Sequence, residues 1–529
     1  MENKKLMNCI WIAMCIFSIT GCGKDDAQSD EGGASHLEIT VKGNETRQTI
    51  HSFGASDAWT CQFVGKNWSD GKKNQIADWL FSTGLDDQQN PEGIGLTAWR
   101  FNIGGGSAEQ GTSSGIGDEW RRSESFMTDV DTYDWNKQAG QRWFLKAAKQ
   151  RGVNQFIGFV NSPPVAITKN GKAFSSDKNQ YNLSQENYTA FADYLANVTN
   201  KMKEREGISF EYISPFNEPQ WDWTDGGQEG TPAQNSEIAA VSKIIDQSFT
   251  NHAVSAKLEV PESAQLNYLY DDDNKAGRGS QINAFFNPSS PHYIGDLPHM
   301  AQKIAGHSYY TTWPLNKLSE TRTNVKNAIE GNSKPLEFWM SEYCILEDNN
   351  EISGGGRDLS MNPALYVSRV VFSDLVFANA SSWQWWLAIS PYDYKDGLVY
   401  IDNNKNDGLI YDSKLLWAFG NFSRFIRPGM KRVVVARNDG RSEVQTLEGV
   451  MATAFVSDDK SKVSIVIINY KENKIPVKVN FENITDIQQL KYYLTDGKPA
   501  NNLSYQGTMV PGDSFEIPAR SIITITNQD

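Results

Sequence analysis

The sequence predicts a (β/α)8 barrel, an α/β fold, with an antiparallel β-sandwich at its side. Two observations predict it. Between residues 51 and 427, short apolar strands alternate eight times with segments of helical period. That is the pattern of parallel strands each returned by an outer helix. After Pro428-Gly429 the texture changes to short alternating strands separated by Gly, Asp and Asn, as an antiparallel sandwich requires. A chain of 529 residues is long enough for one large and one smaller domain.

Residues 37–50 alternate at Leu37, Ile39 and Val41 and are expected to join the sandwich of residues 428–529. The barrel then opens with a strand at 52–59 and a helix at 74–85, with Ile76, Trp79 and Leu80 on one face. A second strand, 96–103, runs into Gly104-Gly105-Gly106, and the following helix, 138–151, is ended by Gly152. The third strand, 155–161, is stopped by Pro163-Pro164. Ser184 reads as the cap of a long helix to Glu206. The fourth strand starts at Glu211 and is expected to run to Asn217-Glu218, where Pro219 offers no N–H and ends the ladder.

A helix over 232–250 and a fifth strand at 257–260 come next. Then come a long loop, a helix at 296–304 and a sixth strand at 305–310. The pattern closes with a helix at 315–330, a seventh strand at 336–343, an apolar helix at 363–378, an eighth strand at 381–388 and a helix at 414–426. Sandwich strands are expected near 433–435, 451–456, 463–469, 476–481, 491–494 and 521–526.

The N-terminus reads as an export signal. Lys4 and Lys5 precede an apolar run, residues 10–17, that is too short to span a membrane. The segment closes Ser18-Ile19-Thr20-Gly21-Cys22, which resembles a bacterial lipobox. Cleavage before Cys22 would leave that thiol to be lipidated, with residues 23–36 as a flexible tether. The expected location is the outer membrane or cell surface, or a periplasm-facing position, with the lipid as the membrane contact. Cys61 and Cys344 remain in the mature chain and are expected to be free and buried.

Composition narrows the partners. A net charge of −14 argues against a nucleic-acid backbone. Aromatic residues make up 12% of the chain, with 16 Trp, and exposed rings of that kind stack on the flat apolar faces of sugars. The chain is expected to act as a monomer. Neither Asp271-Asp272-Asp273-Asn274 nor residues 402–408 has the glycine and glutamate spacing of a calcium loop, and Gly104-Gly105-Gly106 is not a phosphate loop. No metal and no cofactor are expected.

In a barrel of this kind the chemistry sits at the C-terminal ends of the strands. The residues placed there are Asp57, Arg100, Asn102, Asn161, Asn217, Glu218, Glu262, His307, Tyr309, Glu342, Trp385 and Trp386. Glu218 on strand four and Glu342 on strand seven face each other across the mouth. Glycoside hydrolysis needs such a pair, one carboxyl protonated and one ionised. Glu262 is a rival acid without an Asn neighbour. Trp59, Trp221, Trp223 and Trp313 are candidate platforms for sugar rings, with packing as the alternative.

Asn217-Glu218-Pro219 and Ser341-Glu342-Tyr343 resemble the strand-four and strand-seven motifs of the clan of (β/α)8 retaining glycosidases. Phe53-Gly54-Ala55-Ser56-Asp57, Arg100-Phe101-Asn102-Ile103-Gly104, His307-Ser308-Tyr309 and Ala519-Arg520-Ser521 narrow the resemblance to glycoside hydrolase family 30. That family includes endo-β-1,6-galactanases, β-1,6-glucanases, glucuronoxylanases and glucosylceramidases. The resemblance implies Glu218 as acid/base and Glu342 as nucleophile. It implies Asn217 on the sugar 2-hydroxyl, His307 and Tyr309 aiming Glu342, and Arg100 favouring its charge. Asp57 would accept from sugar hydroxyls and Trp385 would stack on the ring. The implied substrate is a β-linked oligo- or polysaccharide, with β-1,6-galactan first and β-1,6-glucan, xylan or a β-glucoside as alternatives. A non-catalytic glycan-binding surface lipoprotein is the alternative from another class.

Overall fold

The computed structural model describes residues 36–484 and 487–528. The lipobox with Cys22, and the tether apart from His36, lie outside the described residues. No described helix is long and apolar enough to cross a membrane.

Eight parallel strands form the barrel. They are Ser52–Ser56, Ala98–Asn102, Gln155–Phe159, Tyr212–Ser214, a fifth in two pieces (Lys257–Leu258 and Pro261–Ser263), Lys303–His307, Glu337–Tyr343 and Ala380–Ser390. The eighth pairs with the first from Ser382↔Ser52 to Leu387↔Ser56. The circuit is completed at the fifth strand, whose first piece pairs with the fourth and whose second piece pairs with the sixth. The barrel's own circuit of eight strands is closed, and the side chains of the strand tips converge on one mouth.

The fourth strand is shorter than expected. Its ladder ends at Ser214 because Pro215, not Pro219, is the first residue without an N–H to donate. Glu218 therefore stands in a loop, at φ +47, and its backbone N–H is held by the Glu262 carbonyl at 2.8 Å.

Most outer helices follow the sequence pattern, and Leu315–Glu330 has the expected bounds. The first begins earlier, at Asp70–Phe81, and a short helix, Cys61–Asn67, precedes it. Ser184 makes no side-chain cap; a 3-10 turn, Gln185–Asn187, leads into Tyr188–Glu206 instead. The helix Asn235–Asn251 has a capping box, in which the Gln234 and Glu237 side chains each take the other's backbone N–H. The expected helix at 296–304 does not form. Residue 300 bridges to Leu258, and Lys303 opens the sixth strand. The fifth strand's return is made by the short helix Gln281–Phe286.

The sandwich is one ladder of nine strands folded over a single core. Leu490 and Leu494, near one end of the ladder, share that core with Ile517 at the other end. Leu37–Thr49 is third from one end of the ladder, antiparallel to Lys431–Arg437 and parallel to Ile475–Glu482. Two strands beyond the sequence pattern, Ser504–Met509 and Ser514–Ile517, form the ladder's two edges. Strand Val463–Asn469 is buried on both faces: Val463, Ile465 and Ile467 fill the sandwich, whereas Val466 and Ile468 join the barrel's core. Phe425 meets Tyr493 with ring centroids 4.5 Å apart, and Asn421 Nδ2 donates to Thr495 at 2.8 Å across the same seam.

Candidate active site

A cleft of about 930 Å³ opens at the C-terminal ends of the strands, with Glu218 and Glu342 in its lining. One oxygen of each carboxyl group and a nitrogen of His307 all lie within 4.8 Å of one another. The two groups are held by different partners. Arg100 Nη1 donates to Glu342 Oε2 at 2.9 Å, and the Tyr309 hydroxyl donates to Oε1 at 3.0 Å. His307 Nδ1 is 2.9 Å from Glu218 Oε1 and 3.6 Å from Glu342 Oε1. The histidine expected to aim Glu342 therefore serves Glu218 more closely.

Burial raises the Glu218 carboxyl to about 7, against the hydrogen bond and charge of His307, and the Glu342 and Glu262 carboxylates add to the rise. Burial opposes the charge on His307. Glu342 and the hydrogen bonds to Glu218 and Glu262 outweigh it and lift the imidazole to about 10. Near neutral pH one carboxyl of the pair can keep its proton while the other is ion-paired to Arg100. A proton donor beside an ionised carboxylate is the division of labour that glycosidic cleavage uses.

Glu218, His307 and Glu342 also form a three-residue set with metal-ligand geometry among the described residues. The set does not suit an ion as arranged. Both His307 nitrogens face carboxyl oxygens, and an imidazole lifted to about 10 holds a hydrogen on each near neutral pH, which leaves no lone pair to ligate.

Trp59, Trp221 and Trp386 line the cleft. Trp59 and Trp386 meet edge to face at 5.3 Å, and Trp221 meets the exposed ring of Tyr310 at 6.2 Å. Trp223 also lines the cleft, and its Nε1 donates to the Glu218 carbonyl at 3.0 Å. Trp313 is not in the lining.

Two expected substrate contacts are not brought there. Trp385 is fully buried. Its Nε1 donates to the Asp396 carbonyl at 2.8 Å, and its ring stacks on Trp383, which packs on Phe419 of the last barrel helix. Neighbouring strand residues point to opposite faces, so Trp386 takes the cleft side and Trp385 the helix side. Asp57 is buried behind the mouth, its Oδ1 accepting from Asn102 N at 2.8 Å and Gln141 Nε2 at 3.1 Å. Burial pushes its carboxyl up to about 8. Asn217 is buried beside Glu218, and its Oδ1 has no partner within the protein.

Sequence reasoning missed part of the cleft's wall. Arg121, Tyr392, Tyr394 and Asp396 come from loops after strands two and eight. Tyr392 hydroxyl donates to Asp118 Oδ2 at 2.9 Å, tying the two loops together. Asp396 is nine-tenths buried, with one carboxylate oxygen unpartnered. The run Pro391 to Gly397 was the available signal, since a loop that rich in Tyr and Asp at a barrel mouth can bind hydroxyls. Cys61 and Cys344 are free and buried.

A (β/α)8 barrel with this carboxyl pair at its mouth defines a glycoside hydrolase. Residues 36–400 match the family described as O-glycosyl hydrolase family 30, and residues 429–525 match the glycosyl hydrolase family 30 beta sandwich domain. The chain belongs to glycoside hydrolase family 30. It is 23% identical to an endo-β-1,6-galactanase of Hypocrea rufa, over 74% of this chain and 75% of that one. It is 25% identical to a glucuronoxylanase of Bacillus subtilis, over 86% of this chain and 91% of that one. A conserved exported protein from Bacteroides fragilis, of solved structure, superposes with a TM-score of 0.87 at 34% identity, covering 92% of this chain and 99% of that one.

Proposed function

We propose that the chain is a retaining β-glycosidase that cleaves an uncharged β-linked glycan, with β-1,6-galactan as its substrate. The observation that carries this reading is the approach of the Glu218 and Glu342 carboxyl groups, with oxygens within 4.8 Å. Retaining enzymes hold their carboxyl groups about 5–5.5 Å apart, whereas inverting ones need roughly 6.5–9.5 Å to admit a water. In the first step the Glu218 proton passes to the departing glycosidic oxygen while Glu342 attacks the anomeric carbon. In the second, water attacks that carbon, gives a proton to Glu218 and releases Glu342. Tyr309 and Arg100 aim Glu342, and Asn217 takes the sugar's 2-hydroxyl.

The choice of an uncharged substrate is supported by the cleft's cations. Arg121 and Lys275 line it, and each lies near an aspartate, Asp118 at 3.8 Å and Asp222 at 3.7 Å. A uronate branch would have to compete with those carboxylates. Likeness to the Hypocrea rufa galactanase supports the β-1,6-galactan assignment. Residues 1–22 and the exported Bacteroides fragilis protein support export, with the lipid on Cys22 holding the enzyme to a membrane.

Purified enzyme incubated in parallel with β-1,6-galactan, β-1,6-glucan, xylan and glucuronoxylan tests this. The reading expects galacto-oligosaccharides, with the β-anomer formed first in the proton NMR spectrum. Preference for glucuronoxylan would overturn the uncharged-substrate assignment, and inversion would overturn the retaining one. Binding without cleavage of any of the four would favour a glycan-binding protein.

A further inference from the structure

Glu262 contacts both His307 and Arg100, the two cationic groups that hold the catalytic pair, yet it does not line the cleft. It is fully buried at the tip of the fifth strand, with φ +57, a conformation costly for a residue with a side chain. Its carbonyl takes the Glu218 N–H at 2.8 Å. Its Oε2 is 2.8 Å from His307 Nε2 and accepts from the Ser341 hydroxyl at 2.5 Å. Its Oε1 accepts from the Ser214 hydroxyl at 3.1 Å and lies 3.6 Å from Arg100 Nη2. Arg100 in turn reaches Glu342 through its other terminal nitrogen.

These contacts favour a charged imidazole at the centre of the site. His307 is fully buried, and it faces Glu218 and Glu342 through one nitrogen and Glu262 through the other, with the Tyr309 ring at its edge. A neutral imidazole has a single N–H; its bare Nδ1 could accept the Glu218 proton but would also face Glu342 Oε1, an acceptor, at 3.6 Å, and would have no hydrogen to offer once Glu218 gives its proton away. An imidazolium satisfies both sides. With Glu218 protonated, the cations Arg100 and His307 then balance the anions Glu262 and Glu342.

We propose that Glu262 is a positioning residue that keeps His307 an imidazolium, so that its Nδ1–H serves Glu218 as a carboxylate in the second half of the reaction. The proposal rests on the retaining mechanism above. When the glycosidic bond breaks, the Glu218 proton leaves with the alcohol and Glu342 becomes an ester. One negative charge disappears from Glu342 and one appears on Glu218, so two anions still face two cations. His307 Nδ1 already sits 2.9 Å from Glu218, against 3.6 Å from Glu342. It can follow the charge without moving its ring, because Glu262 and its two serine donors hold the other nitrogen. Glu218 then removes a proton from water, the glycosyl ester on Glu342 breaks, and the starting charges return. Nothing beyond substrate and water is consumed.

Glu262→Gln keeps the side chain's shape and removes its charge. A 2,4-dinitrophenyl β-glycoside that the wild type hydrolyses is the probe, since that leaving group departs without an acid and isolates the second step. General-base assistance contributes at least about 100-fold, and its partial loss should lower kcat by at least about tenfold. kcat/KM should change by less than about threefold, and a pre-steady-state burst of dinitrophenol should appear as the glycosyl-enzyme accumulates. Azide, an anionic nucleophile that needs no base, should restore turnover. A folded variant that loses kcat and kcat/KM equally, shows no burst and gains nothing from azide would overturn the proposal. If Glu262→Gln does not fold, Ser341→Ala removes a donor from the same carboxylate and should show the same pattern at smaller amplitude; an even loss there would also overturn it. Failure of the retaining reading is separate, and would appear as an inverted product from the wild type.

Discussion

Arg100 joins Glu342 at 2.9 Å and makes no hydrogen bond to Glu218, so the two carboxyl groups of one cleft live in different electrostatic settings. Burial with a neighbouring anion keeps the proton on Glu218 up to about pH 7. A group raised in this way works as an acid below that value and loses the proton as pH rises through it. With an alkyl glycoside or a natural glycan, kcat/KM should therefore fall on the alkaline side with a midpoint near 7. With a dinitrophenyl glycoside, whose departure needs no acid, that limb should be displaced to higher pH or lost. Identical alkaline limbs for the two substrates would remove Glu218 from the role of acid.

Glu342→Gln should lower turnover by several orders of magnitude while leaving glycan binding within about threefold, since the change removes attack but not shape. Calorimetric titration with an oligosaccharide that the wild type cleaves measures the second quantity.

Adjacent tryptophans should behave in opposite ways. Trp386 faces the cleft and Trp385 the helix layer. Trp386→Ala should weaken substrate binding by roughly tenfold, about 1.4 kcal/mol, with a small change in melting temperature. Trp385→Ala should cost about 3–5 kcal/mol of stability through the cavity it leaves. Thermal melts and KM measured on both variants distinguish the two faces.

Asp57 and Asp396 form a second contrast. Asp57 is absent from the cleft lining, its Oδ1 tied to Asn102 and Gln141 behind the mouth, so Asp57→Asn should leave KM unchanged. Asp396 lines the cleft with a carboxylate oxygen free of protein partners. A buried acceptor in that position gains from a sugar hydroxyl, so Asp396→Ala should lower kcat/KM by about tenfold, near 1.4 kcal/mol. Parallel kinetics on one glycan substrate check both.

The barrel and its catalytic mouth were legible because period and punctuation agree over most of the chain. Helix Leu315–Glu330 and strand Val463–Asn469 have the bounds their apolar patterns predict. The failures have local causes. Proline ends a ladder wherever its nitrogen is needed, and Pro215 comes before Pro219. The phase of the eighth strand could not be read because Ala380–Ser390 is buried on both faces and has no polar alternation. Arg121 and Asp396 are separated by most of the barrel in sequence. Only the Tyr392 to Asp118 hydrogen bond and its neighbours show that their loops meet. Glu262 was visible as a carboxylate at a strand tip, but its work is done by contacts to four other strands, which no spacing encodes.

The identity of the nucleophile is tested most directly by trapping. A 2-deoxy-2-fluoro glycoside with a dinitrophenyl leaving group should inactivate the enzyme and leave one fluoroglycosyl group per chain. Peptide mass spectrometry should place that group on Glu342. A label on Glu218 or Glu262, or turnover of the reagent with inversion and no label, would contradict the division of roles between the two carboxyl groups.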